Sequence, residues 1–173
     1  HPPSMDRVKA NRVLARTMDG GERYRERYQR HIAQLKKDAP AYEAQERAVT
    51  ALKAKEATVA IQHLDDAVAL QPAEAQFWEM RGHAWTMLKK DENAEKAYRT
   101  AIRKNPDLFS PRLYRGIARY QRSEFIGARE DLAVSYRLLP TATSAYYLGD
   151  IYLQSGGRGE AAKYLQQALG RLA

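Results

Sequence analysis

Residues 75–106 read AQFWEMRGHAWTMLKKDENAEKAYRTAIRKNP, and this stretch decides the fold. Its marks are Gly82, then Ala94 twelve residues on, then Pro106 twelve further. The same marks recur along the chain. Ala60, Ala94, Ala128 and Ala161 step by 34, 34 and 33 residues, and Pro72, Pro106 and Pro140 by 34. Gly82, Gly116 and Gly149 each sit 12 residues before their alanine. A period this long, with helical residues between the marks, signals an α-solenoid. Such a chain works by presenting a surface, not by housing a catalyst.

The spacing has a physical reading. Glycine on one helix and alanine on the next let two antiparallel helices approach closely, and aromatic and leucine side chains fill the space between. Proline ends a helix because it lacks the N–H and clashes with the preceding turn. One such pair cannot bury its own apolar face, so each stacks on the next. Each unit resembles a tetratricopeptide repeat (TPR). The second carries the pattern best, in Trp78, Gly82, Trp85, Ala94, Tyr98, Ala101 and Pro106. The fourth keeps Leu148, Gly149, Tyr152, Gly156, Ala161, Leu165 and Ala168. The third keeps Gly116, Phe125, Ala128, Leu132 and Pro140, with Arg112 in place of its first aromatic. The first has Ala44, Ala48 and Ala51 in its opening helix, then Ala60, Leu64, Ala67 and Pro72.

The fold class expected is therefore all-α, a TPR α-solenoid of four helix-turn-helix repeats preceded by two helices. The pairs are expected at 41–54 with 57–70, 75–88 with 91–104, 109–122 with 125–138, and 142–154 with 158–170. Ahead of them, 4–17 reads as a helix capped by Ser4, broken at Gly20 and Gly21. Residues 22–37 read as a second helix. Its stripe of Tyr24, Tyr28, Ile32 and Leu35 is expected to pack on the first repeat, with Arg23, Arg27 and Arg30 pointing outward. Pro40 divides the chain into an N-terminal helical pair, 1–39, and a solenoid, 40–173.

Composition narrows the function. No stretch approaches the ~18 apolar residues of a membrane helix, so no direct membrane insertion is expected. There is no cysteine, hence no disulfide and no cysteine-based zinc site. The chain begins at His1 rather than Met, as expected of a fragment or processed form. Its net charge is +8. Residues 1–38 hold ten Lys/Arg and five Asp/Glu, so most of the excess lies there. Interleaved Arg and Tyr at 23–30 can bind RNA by stacking and phosphate contact. Here the tyrosines share one helix face and the arginines lie off it, so no nucleic-acid partner is expected.

No H-E-x-x-H, P-loop, dinucleotide turn or nucleophile elbow occurs. His1, His31, His63 and His83 lie too far apart in sequence to share a metal, and Asp65 and Asp66 do not converge with His63. No catalytic residue, no metal site and no cofactor is assigned to this chain.

The TPR resemblance implies where a partner binds. In TPR proteins the first helix of each pair lines a concave face. That face would present Gln76, Glu79, His83, Thr86 and Met87, then Leu113, Ile117, Tyr120 and Gln121, then Tyr146, Asp150, Leu153 and Gln154. A protein or peptide partner is expected there, on Glu79, His83, Leu113, Ile117, Tyr120, Tyr146, Asp150 and Leu153. Co-chaperone TPRs clamp a terminal carboxylate with a Lys/Asn/Arg set. Glu79, His83, Leu113 and Ile117 stand in those places, which argues against chaperone tails.

A second resemblance lies at the start. His1-Pro2-Pro3-Ser4 with Arg7 is similar to the segment closing the catalytic domain of HtpX/BepA-like zinc metallopeptidases, where a bacterial envelope subgroup carries a TPR solenoid directly afterwards. The resemblance implies a C-terminal TPR module beside an upstream peptidase domain, in the periplasm, docking substrates or assembly partners for protein quality control. The H-E-x-x-H helix and the glutamate ligand of that family are missing from this chain. The alternative is a free-standing TPR adaptor in secretion, pilus assembly or another complex, including a cytoplasmic one.

Overall fold

The structure, a computed structural model, describes Val13 and residues 21–170. The chain falls into two compact units, residues 1–40 and 41–173. Among the described residues the regular elements are helices alone: α1 (Gly21–Lys53), α2 (Ala57–Leu70), α3 (Ala75–Met87), α4 (Asp91–Lys104), α5 (Ser110–Gln121), α6 (Phe125–Leu138), α7 (Ala142–Gln154) and α8 (Arg158–Leu169). From α2 onward the observed bounds fall within one residue of those read from the repeat. The expected helix over 4–17, its Ser4 cap and Gly20 lie outside the described residues, Val13 aside, while Gly21, expected with Gly20 to break the chain, opens α1.

The N-terminal expectation is corrected in two ways. Helix α1 runs through Pro40 without a break. A proline removes one hydrogen bond, here the one to the Lys36 carbonyl, but neighbours such as Ala39, Ala41 and Ala44 are strong helix formers that carry the helix past it. Second, Tyr24, Tyr28 and Leu35 are 76%, 62% and 67% exposed. Ile32, the fourth residue of that stripe, is half-buried. Arg27 and Arg30 are exposed too, so burial does not separate arginines from tyrosines here. The side chain of Arg23 lies outside the described residues.

In the second unit each helix pair closes through one recurrent turn. Lys55, Lys89, Ser123 and Gly156 all have positive φ, at 62°, 55°, 62° and 81°. They follow the 34-residue step and then one of 33. The residue after each left-handed position donates its N–H five residues back: Glu56 to Ala51, Lys90 to Trp85, Glu124 to Arg119 and Gly157 to Tyr152, at 2.8–3.0 Å. The left-handed residue itself donates three back, to Leu52, Thr86, Tyr120 or Leu153. These two bonds make a Schellman ending, which satisfies carbonyls that a helix terminus would otherwise leave open. Between pairs, Pro72, Pro106 and Pro140 each stand two residues beyond a helix end. Thr141 and Ser144 then start α7 with a reciprocal capping box.

Close approach within a pair depends on glycine. A Cβ on Gly82 would lie 2.4 Å from the Tyr98 ring, and one on Gly116 or Gly149 would strike Leu132 or Leu165 at 2.8 or 2.7 Å. Tyr98, Phe77, Leu64, Leu132 and Leu148 are fully buried. Burying each such side chain is worth about 1.5–3 kcal/mol. The first pair substitutes small for large: Ala48, Ala51 and Ala60 pack around Leu64, and Ala44 and Ala67 cluster with Phe77 of α3. Stacking of consecutive pairs thus leaves one surface, formed by first helices, on which side chains of neighbouring repeats meet.

Candidate functional site

Side chains of successive first helices touch across that surface, the inner face. Gln45 of α1 donates from Nε2 to the Met80 sulfur of α3 at 3.6 Å. Glu79 of α3 accepts from Ser110 Oγ at the start of α5, at 2.7 Å. His83 of α3 meets Tyr114 of α5 edge to face, with centroids 3.8 Å apart. Tyr120 of α5 donates to Asp150 Oδ2 of α7 and packs on Tyr147 at 4.9 Å. Gln154 Nε2 closes this last group, reaching Asp150 Oδ2 at 2.6 Å and Tyr120 Oη at 3.2 Å.

The residues expected to bind a partner do not share one fate. Tyr146 and Leu153 stand open at 53% and 52% exposure. Glu79, His83, Tyr120 and Asp150 are half-buried. Ile117 packs against the core beneath. Leu113 is corrected: it is 5% exposed, clustered with Leu132 and Leu148, so it packs the repeats and offers nothing to a partner. Its place in the pattern is that of Glu79 and Tyr146, but here the α5 side chain turns apolar and is covered.

Burial and hydrogen bonding tune three of these groups. Burial pushes the Glu79 carboxyl above the usual range, opposed by the Ser110 hydrogen bond. It lowers His83 to about 4, so the ring is neutral. The hydrogen bond to Asp150, helped by burial, raises the Tyr120 hydroxyl.

Two positions were missed from the sequence. Tyr114 and Tyr147 occupy the place of Met80 in the next two repeats, and both line the inner face. Extending the 34-residue alignment one column beside Glu79 would have found them.

The opposite side of the first helices is built from charge. Arg115 grips Asp131 with Nε and Nη2 at 2.7 and 2.6 Å, and Arg119 Nη1 reaches Asp131 Oδ2 at 2.9 Å. Glu95 of α4 joins both arginines, and Arg122 pairs with Asp91 and Glu124. In α3, Arg81 pairs with Asp65 at 2.7 Å and lies 5.2 Å above the Trp78 ring. Among the described residues no three His, Asp or Glu side chains gather as for a metal, and no helix is long and apolar enough to cross a membrane.

Comparison with solved structures meets this geometry. The chain is similar to MamA, at 23% identity and TM-score 0.70, over 89% of this chain and 95% of MamA. The fold is a TPR solenoid. Also similar are the first TPR of Spaghetti (RPAP3) bound to the HSP90 peptide SRMEEVD, at 21% identity and TM-score 0.65 over 69% and 95% of the two chains, and a thermophilic TPR protein of Thermus thermophilus, at 24% identity and TM-score 0.63 over 72% and 70%. No family model and no curated protein matches the sequence.

Proposed function

We propose that this chain is a non-catalytic scaffold that holds a protein or peptide segment on the inner face of α3, α5 and α7. The observation that carries this reading is the pair of open apolar side chains, Tyr146 and Leu153, flanking the polar cluster of Tyr120, Asp150 and Gln154. Exposed aromatic and aliphatic groups beside fixed polar ones are what partner anchors require. A similar TPR structure holding a peptide supports it. A photo-crosslinking residue placed at Tyr146 tests it, with the exposed α4 position Arg99 as control. Protein adducts from the first and none from the second are expected. Equal labelling, or none from position 146, counts against it.

A finer reading rests on His1-Pro2-Pro3-Ser4 and Arg7. In it, the scaffold is the docking module of an HtpX/BepA-like zinc metallopeptidase in the bacterial periplasm, serving protein quality control, with no cofactor and no nucleic acid of its own. A free-standing adaptor, periplasmic or cytoplasmic, is the alternative. Sequencing the codons upstream of His1 separates the two: an H-E-x-x-H domain supports the first, a start codon or an unrelated domain the second.

A further inference from the structure

Charge is segregated across the first helices of the last three repeats. On α3, α5 and α7 six columns of the repeat lie on the inner side, with Leu113 buried beneath it: Gln76/Ser110/Thr143, Glu79/Leu113/Tyr146, Met80/Tyr114/Tyr147, His83/Ile117/Asp150, Thr86/Tyr120/Leu153 and Met87/Gln121/Gln154. They contain no Lys or Arg, in a chain with net charge +8. The charged groups they do contain are two carboxylates, Glu79 and Asp150. On the opposite side, Asp65, Glu95, Asp131 and Glu124 are all matched by arginine. Among the described residues neither Glu79 nor Asp150 has a cationic partner. Glu79 is held by the Ser110 hydroxyl at Oε2. Asp150 is held by the Tyr120 hydroxyl and the Gln154 amide, both on Oδ2, which leaves Oδ1 to receive a further donor. His83, one turn along α3 from Glu79, is neutral.

We infer that the inner face selects a basic, partly apolar peptide in extended form, with cationic side chains at Glu79 and Asp150 and apolar ones against Tyr146 and Leu153. This rests on the docking reading above and adds the chemistry of the occupant. Half-buried carboxylates held by neutral donors gain from an incoming ammonium or guanidinium and repel an acidic tail. The two carboxylates lie on α3 and α7, two helix spacings apart, or roughly 16–20 Å. An extended chain covers that in about five or six residues at ~3.3 Å each. A single basic residue satisfies one site, and two at that spacing satisfy both.

Selection from a random 12-residue peptide display library on the full chain decides the matter. Enrichment of sequences with Lys or Arg about five or six apart, lost when the Tyr146→Ala variant is the bait, supports the inference. Labelled synthetic copies should then bind at least tenfold more tightly than copies with Glu in place of each basic residue. The conservative variant Glu79→Gln/Asp150→Asn, checked for unchanged helicity, should remove that preference. Enrichment of acidic or neutral peptides that map to the same face overturns the charge inference and leaves the docking reading standing. No enrichment overturns both.

Discussion

Arg119 donates to Asp131 at 2.9 Å in the register where, one repeat later, Tyr152 stacks on Tyr164 with planes 6° apart. The same pair of positions in the second repeat holds Trp85 and Ala97. One backbone geometry thus accepts an ion pair, an aromatic stack or a large-small contact. Asp131 is 4% exposed, so its charge depends wholly on Arg115 and Arg119.

Asp131→Ala is expected to destabilise the protein by about 1–3 kcal/mol, because the half-buried Arg115 and Arg119 lose three hydrogen bonds and keep only Glu95 as counter-charge. Urea unfolding followed by circular dichroism measures it. A loss near zero would show that water reaches the cluster.

Gly82→Ala is expected to cost about 1–3 kcal/mol, since the added methyl meets the Tyr98 ring and that ring is itself fixed by Thr86. Gly159→Ala meets nothing within 4 Å and should stabilise slightly through helix propensity. Thermal melts of both variants must move in opposite directions. A shared direction refutes the packing argument.

Lys55, Lys89 and Ser123 hold a left-handed backbone that L-residues adopt at a cost of about 1–2 kcal/mol, whereas the fourth repeat uses Gly156 there. Lys89→Gly and Ser123→Gly should therefore raise the melting temperature, offset in part by the flexibility glycine adds to the unfolded chain. Gly156→Ala should lower it.

His83 sets a pH dependence. Its folded value of about 4 lies below the 6.5 of an exposed histidine. Above pH 6.5 both states are neutral. Between 6.5 and about 4 the unfolded chain takes a proton that the fold refuses, so stability falls as pH falls, by roughly 3 kcal/mol over the window. Glu79, one turn away and raised by burial, acts in the opposite sense as it protonates. Comparing melts of the parent and His83→Gln at pH 7 and pH 5 isolates the histidine: the variant should lose less. Parallel curves would contradict this.

The isolated chain should not cleave peptides, since it lacks the H-E-x-x-H helix. Chelator-sensitive casein cleavage that co-purifies with the chain through every step would overturn that.

The array was legible because its marks are steric. Glycine at 82, 116 and 149, alanine at 94 and 128, and proline at 106 and 140 are demanded by close contact and by helix ends, and both leave a fixed spacing. The inner face was legible in outline, through the column positions of Tyr120, Tyr146, Asp150 and Leu153. Leu113 was misplaced because a column gives direction and not depth. The Arg115–Asp131 cluster escaped notice because arginine and aspartate in a helix ordinarily mean solvent, and their pairing spans 16 residues. The uninterrupted α1 escaped because proline ends helices elsewhere in this chain, whereas at position 40 alanine-rich neighbours outweigh it.

Glu95 belongs to the second helix pair, and Arg115, Arg119 and Asp131 to the third, so the middle seam of the array is riveted by charge while the seams on either side rely mainly on hydrocarbon. The penalty for dehydrating ions shrinks on warming, and the gain from burying hydrocarbon levels off. Heating therefore moves the point of first failure outward: the terminal repeats fray while the centre still holds, and amide exchange at rising temperature should record protection retreating toward α5.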